Sequence, residues 1–225
     1  MTERELVITI DGPAGAGKSI VARRLAERLG YRLIDTGAMY RALAWSVSEA
    51  GLPPEDTPAL RRHLAAVGVT LDGERVIVNG DDVTAKIRSR EISDLTSRLT
   101  ALGMVRDKVT PIQRALASRG GVVLEGRDTG TVVCPAADVK FYLDASIDER
   151  ARRRQLELEG TGVAVAFDDL RAEIRARDVQ DTTRALAPLR TPAGALEIDT
   201  SDLSVEQVLG RMLEAVERRR CCTRS

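Results

Sequence analysis

A chain of 225 residues is long enough for one large α/β domain with a full core and room for a small insertion. Its 34 basic and 34 acidic residues cancel, which removes any global attraction to nucleic acid or to an anionic membrane surface. No apolar run approaches the roughly 20 residues of a membrane-spanning helix. Three cysteines in neither a disulfide framework nor a zinc spacing point to a reducing cytoplasm, and a single histidine argues against histidine acid–base chemistry.

The charged start, Met1 to Glu5, carries no secretory pattern and leads into a first strand, Leu6-Val7-Ile8-Thr9-Ile10. Gly12-Pro13-Ala14-Gly15-Ala16-Gly17-Lys18-Ser19 follows and fits G-x-x-x-x-G-K-[ST], the phosphate-binding P-loop. Its glycines let successive backbone N–H groups point at phosphate oxygens without Cβ clashes. Lys18 can reach the β- and γ-phosphates, and the Ser19 hydroxyl is placed to ligate Mg²⁺. The helix predicted over Ser19–Leu29 adds its N-terminal dipole to the same anion site. Such a loop specifies a triphosphate donor, and the acceptor must be sought downstream.

Tyr31–Ile34 reads as a second strand, ending in Asp35-Thr36-Gly37, and Gly37–Ala50 as a helix, which implies βαβ units and a parallel sheet. The alternation then breaks. A short helix over Thr57–Val67, with a solvated His63, precedes a small antiparallel meander. There Val69–Leu71 and Val76–Val78 flank the turn Asp72-Gly73, and Asn79-Gly80 turns again before Asp82-Val83. Helices are predicted over Ala85–Leu102 and Met104–Ser118. Strands at Gly121–Leu124, Val139–Leu143 and Ala195–Ile198 complete a five-stranded parallel sheet covered by helices on both faces. The last helix, Val205–Val216, starts after the N-cap candidate Ser204 with Gln207 at the capping-box position. An insertion between the second and third sheet strands lies at the carboxyl edge, where open α/β sheets bind ligands, so it is placed to cover a second substrate.

Four clusters could carry chemistry. Asp35-Thr36-Gly37 is followed by Arg41 on the next helix, and Glu125-Gly126-Arg127-Asp128-Thr129-Gly130 follows the third sheet strand. Arg150, Arg152, Arg153 and Arg154 crowd one helix and cover more than one face, so at least one is solvated. Arg177, Asp181 and Arg184 fall at i, i+4 and i+7, a spacing that serves a solvated salt-bridge ladder or a ligand site equally. Only four of the 34 basic residues are lysines, so neutralising phosphate falls to arginines plus Mg²⁺. Carboxylates nearby could accept from ribose hydroxyls or an exocyclic amine. This inventory suits a phosphorylated, nucleoside-like acceptor. A P-loop kinase for UMP or for a metabolite hydroxyl is the nearest alternative. A regulatory GTPase is another, although none of the four lysines sits in the Asn-Lys-x-Asp strand end that reads guanine.

From Ile8 nearly to the last helix the sequence resembles the bacterial cytidylate kinases of the nucleoside monophosphate kinase family. The resemblance rests on Ile10-Asp11-Gly12-Pro13-Ala14-Gly15-Ala16-Gly17-Lys18, Asp35-Thr36-Gly37-Ala38-Met39-Tyr40-Arg41 and Gly126-Arg127-Asp128-Thr129-Gly130-Thr131-Val132-Val133. It extends to Phe141-Tyr142-Leu143-Asp144-Ala145-Ser146 and to Arg177-Asp178 through Arg184-Ala185-Leu186-Ala187-Pro188-Leu189. It implies a P-loop three-layer α/β/α fold whose core comprises 1–66 and 103–225. Within that frame come a monophosphate-binding insert at 67–102 and a short mobile lid at about 150–184. The implied reaction is in-line transfer of the ATP γ-phosphoryl group to CMP or dCMP with Mg²⁺, by a monomer. Gly12, Pro13, Ala14, Gly15, Ala16, Gly17, Lys18, Ser19 and Ile20 would hold ATP, with Ser19 on the metal. Ser97, Arg106 and Asp128 match positions that read the base, and Arg177 and Asp181 positions near the sugar. Arg41, Arg127 and Arg184 match the clamp on the acceptor phosphate and, with Lys18, would carry catalysis. Two positions depart from the family pattern: Ile20 replaces a second P-loop hydroxyl, and Thr36 stands where many relatives have Ser.

Overall fold

The computed structural model describes residues 5–160 and 162–223; the start at Met1–Arg4 and the side chain of Cys222 lie outside what it describes. The chain opens with β1 (Val7–Asp11), α1 (Lys18–Leu29), β2 (Arg32–Asp35) and α2 (Thr36–Glu49). Then come α3 (Pro58–Ala66), β3 (Val69–Asp72), β4 (Arg75–Val78), β5 (Asp81–Asp82), α4 (Arg90–Leu99) and α5 (Gly103–Ala117). The second half runs through β6 (Val122–Gly126), β7 (Val139–Asp144), α6 (Ile147–Glu159), α7 (Phe167–Thr183), β8 (Leu196–Asp199) and α8 (Val205–Thr223).

Five parallel strands form the main sheet in the order β2-β6-β1-β7-β8. β1 is central, paired with β6 from Val7↔Val122 and with β7 from Ile8↔Val139. Being covered on both faces, it is a nearly continuous apolar run. Alternate residues separate the two faces. Ile8, Ile10, Val123 and Phe141 pack with α1 and α8, whereas Ile34, Val122 and Leu124 pack with Ala117 of α5. Each large apolar side chain so buried contributes about 1.5–3 kcal/mol relative to leaving it in water. A separate apolar cluster joins α2 and α3 to Val69, Val76, Val78, Ile87, Leu99 and Val105, so the insertion is cored against two helices that precede it.

The β3-β4-β5 meander is antiparallel as the turn signals predict. Its first turn is centred on Gly73-Glu74, one residue later than expected, because Asp72 still pairs with Arg75 and Gly73 takes φ +60°. The single helix expected over Ala85–Leu102 is broken. Lys86–Arg88 forms a 3₁₀ turn, and Ser89, extended at ψ 157°, caps α4 by accepting from the Ile92 N–H at 3.2 Å. The last helix runs beyond Val216 to Thr223, its added turns anchored where Arg220 stacks over the Tyr31 ring and donates to its hydroxyl. His63 is half-buried rather than solvated, with Nε2 2.6 Å from Ser46 Oγ, tying α3 to α2.

The chain after β6 makes a π-turn over Thr129–Val133. Asp11, at the end of β1, fixes it. Its buried carboxylate accepts from the Thr129 and Gly130 N–H groups at 2.8 and 2.7 Å and from the Thr129 hydroxyl at 2.8 Å. Burial raises the Asp11 pKa, and these donors oppose the rise. Two adjacent strand ends are thereby locked together, and Asp128, just before the turn, is held on the wall of the cavity described below.

Candidate active site

The P-loop crosses from β1 to α1 over the carboxyl end of the sheet. At Gly12 the backbone takes φ +148°, and an added Cβ would lie 1.9 Å from the Leu143 carbonyl oxygen. Only glycine lets the loop leave the strand this close to β7. Lys18 is buried and donates from Nζ to the Pro13 carbonyl at 2.5 Å. Burial, then repulsion from Arg127, lowers its pKa to about 7, while Glu125, Asp11 and Asp181 oppose the shift. Anionic phosphate would restore the full charge.

Ser19 donates from Oγ to Glu125 Oε1 at 2.6 Å. Glu125 is buried at the end of β6, and its pKa is raised by desolvation and by Asp35, with Lys18 pulling it down. Asp35 caps α2 by accepting from the Ala38 N–H at 2.8 Å, and its second oxygen accepts from Arg41 Nη2 at 2.9 Å. Hydroxyl and carboxylate oxygens are hard donors of the kind Mg²⁺ takes. Among the described residues no group of three or more His, Cys, Asp or Glu could enclose a metal. The Ser19 hydroxyl and the Glu125 carboxylate are the oxygen donors that fit Mg²⁺ at this loop.

A cavity of about 800 Å³ runs from this loop to the insertion. Ala14 to Ser19, Ile20, Arg153, Leu203 and Val205 line one part of it. Thr36, Arg41, Ser97, Arg106, Arg127, Asp128, Arg177, Asp181 and Arg184 line the other. All nine residues expected around an acceptor are brought to one cavity. Gly12 and Pro13 are not on its wall; Gly12 sets the loop's close exit past β7, and the Pro13 carbonyl accepts from Lys18. Ile20 stands at the cavity edge, 47% exposed, at the head of α1.

Within the second part, Arg106 and Asp128 form a buried pair at 2.8 Å. Arg106 also donates from Nε to the Thr100 carbonyl at 3.0 Å and lies over the Tyr40 ring at 5.7 Å. Asp181 is held between Arg127 Nε at 3.1 Å and Arg184 Nη1 at 3.5 Å. Arg184, the residue capping α7, is turned inward by a bond from Nε to the Ala187 carbonyl at 2.8 Å. Its Nη2, and Nε of Arg177, are buried without a hydrogen-bond partner. Desolvation lowers both pKa values, reinforced chiefly by Arg127 for Arg177 and by Arg106 for Arg184. Each group thus keeps an unpartnered N–H donor of the kind that phosphate or carboxylate oxygens accept from. Thr36 spends its hydroxyl proton on the Glu125 carbonyl at 2.5 Å. Ser97 offers its carbonyl to Gln180 Nε2 at 3.0 Å, which joins the insertion to α7 across the cavity.

The sequence reading did not single out Tyr40 as the surface beneath Arg106, nor Glu125 as the partner of Ser19. The second had a signal, an acid at the end of an apolar strand. The first had none, since an aromatic on an apolar helix face reads as core.

A family model described as cytidylate kinase matches residues 8–218. The chain belongs to the cytidylate kinase family. Among curated relatives, a cytidylate kinase of Geobacter sulfurreducens is 48% identical over 98% of this chain and 96% of its own. One from Geobacillus kaustophilus is 47% identical over 96% and 99%. Among solved structures, a shikimate kinase from Bacteroides thetaiotaomicron shares the fold at TM-score 0.51 and 15% identity, over 94% of this chain and 98% of its own. As a member of this family the chain is a P-loop kinase of three-layer α/β/α build, with the small antiparallel sheet as a separate element. No described helix is long and apolar enough to cross a membrane.

Proposed function

We propose that this enzyme transfers the γ-phosphoryl group of ATP to CMP or dCMP, giving ADP and CDP or dCDP. The observation that carries the reading is the pairing of two half-sites in one cavity: a P-loop, and beyond it the Arg41, Arg127, Arg177 and Arg184 guanidinium groups with the Arg106–Asp128 pair. CMP supplies a phosphate for the first set and a cytosine for the second. Asp128 is a pure acceptor when ionised and suits the N4 amine, while Arg106 donates to N3 or O2. Asp181 accepts from ribose hydroxyls once the arginines turn to phosphate.

The acceptor phosphate is the nucleophile and is ionised near neutral pH, so no general base is needed. His63, bonded to Ser46 between two helices, has no part in it. Catalysis rests on positioning and charge neutralisation. Lys18 and the α6 arginines on the cavity wall, Arg153 and Arg154, hold the migrating group, and Arg41, Arg127 and Arg184 orient the attacking oxygen. Ser19 and Glu125 would hold Mg²⁺, which supplies electrostatic stabilisation of the phosphate oxygens when bound. The units at work are a core of 1–66 and 103–225, an insert at 67–102 and a lid at about 150–184. Lid and insert exclude water, which protects ATP from hydrolysis. Both half-sites come from one chain, which supports a monomer, and the free thiols of Cys134 and Cys221 suit the cytoplasm. Incubation with ATP, Mg²⁺ and CMP, with nucleotides separated afterwards, tests the reading. CDP and ADP should appear in equal amounts; ADP without CDP would refute it.

A further inference from the structure

Of the four arginines crowded on α6, one is buried. Arg152 and Arg154 are exposed and pair with Glu149 and Glu157 of the same helix. Arg153 pairs with Glu149 and donates to the Thr200 carbonyl at 2.6 Å. Arg150, 6% exposed, does something else. Its Nε donates to the Ala145 carbonyl at 3.0 Å, which fixes the side chain to the end of β7. Nη1 reaches the Ala14 carbonyl of the P-loop at 3.3 Å, and Nη1 and Nη2 grip both carboxylate oxygens of Asp178 at 2.9 and 2.7 Å. Gly15 makes room for it: a Cβ there would sit 3.0 Å from the Arg150 Cβ.

Asp178 lies on α7 next to Arg177 and one turn before Asp181, two residues on the acceptor side of the cavity. One guanidinium group thus touches the loop that holds the donor and the helix that presents acceptor residues. The grip on α7 is planar and bidentate, which fixes orientation as well as distance. The bond to Ala14 is single and longer, so the loop is the end that can change when phosphate enters.

We infer that Arg150 and Asp178 are a positioning pair that couples the two half-sites, so that donor in the P-loop tightens binding of the acceptor. The inference rests on the functional reading above. Phosphate in the P-loop resets the Ala14 carbonyl, Arg150 follows, and the bidentate grip carries the change to Arg177 and Asp181 one turn away. Linkage requires the effect to be reciprocal.

The test is calorimetric titration of CMP with and without saturating Mg²⁺ and β,γ-methylene-ATP, repeated with the nucleotides exchanged. In the unaltered enzyme the analogue should tighten CMP by about fivefold or more, the lower end of ordinary coupling, and CMP should tighten the analogue by the same factor. Asp178→Asn and Arg150→Lys should bring that factor to within about twofold of unity while each nucleotide alone binds within about threefold of the unaltered enzyme. Cutting one side of a buried pair can destabilise a fold, so the double variant Arg150→Met/Asp178→Leu, which replaces the pair by apolar side chains, is measured too. It should fold, bind each nucleotide and show no coupling. Coupling that survives in any folded variant, or affinities that fall together at an unchanged factor, would overturn the pair's role and leave the functional reading standing. Failure of the unaltered enzyme to bind CMP under either condition would overturn both.

Discussion

Lys18 gives a pH dependence whose sign and size follow from its burial. In the free enzyme its pKa is lowered to about 7 by desolvation and by Arg127. Phosphate oxygens favour the protonated amine, so binding above pH 7 must draw a proton from solvent. With that pKa about a quarter of the molecules carry the charge at pH 7.5 and about 1% at pH 9, so nucleotide affinity should fall about 25-fold over this range. The slope approaches a factor of ten, or about 1.4 kcal/mol, per pH unit. The ADP terminal phosphate, with a second pKa of about 6, is largely ionised at pH 7.5 and fully so at pH 9, so its own slope is small and opposite in sign. Calorimetry in two buffers of different ionisation enthalpy counts the protons directly. Uptake should rise from below one at pH 7.5 to nearly one at pH 9, and Lys18→Arg, whose cation never titrates, should show neither the uptake nor the slope. An affinity for ADP that stays constant from pH 7.5 to 9 with no proton uptake would refute the argument.

Other outcomes follow from single contacts. Asp128→Asn keeps size but adds a donor and leaves Arg106 without its buried partner; kcat/KM should fall about 10- to 100-fold more for CMP than for UMP, and equal losses would remove Asp128 from base reading. Arg184→Met deletes a guanidinium with an unpartnered nitrogen in the cavity; kcat/KM for CMP should drop by about 100-fold or more while ADP binding is unaffected, a loss of several kcal/mol of charge stabilisation. Glu125→Gln, which still accepts from Ser19, should raise the Mg²⁺ concentration for half-maximal rate by about tenfold, in line with losing one charged oxygen from an ion site. Gly12→Ala forces a Cβ against the Leu143 carbonyl at positive φ; unfolding stability in denaturant should fall by about 3 kcal/mol or more, and an unchanged midpoint would mean that loop and β7 separate freely.

Much of this architecture is legible because its signals are local. The P-loop is a run of eight residues whose lysine in register and correct flanks set it apart from a Gly-rich turn that matches by chance, and the strand and helix beside it follow from apolar period alone. Arg177, Asp181 and Arg184 were readable as a shared face but not as a site, because a solvated ladder has the same spacing. Their role appears only when the Ala187 carbonyl turns Arg184 inward. Arg150 shows the limit more sharply. Its neighbours are the same residue type, and what separates it from them is the proximity of Ala14 and Asp178, 136 and 28 residues away in the chain. The break at Ser89 was missed for the opposite reason: a serine inside an apolar helical pattern caps a helix only if the chain before it is extended, which tertiary packing decides.

The central claim, that the arginine cluster and the Arg106–Asp128 pair form a site for a cytidine monophosphate, is most directly tested by competition. Equal concentrations of CMP, dCMP, UMP, AMP and GMP would share a limiting amount of ATP with Mg²⁺, and the labelled diphosphates would be resolved early in the reaction. The site described here predicts that CDP and dCDP together outweigh every other product by about tenfold or more, the discrimination expected of a buried polar pair matched to one base. A mixture led by UDP, ADP formed from AMP, or GDP would contradict it.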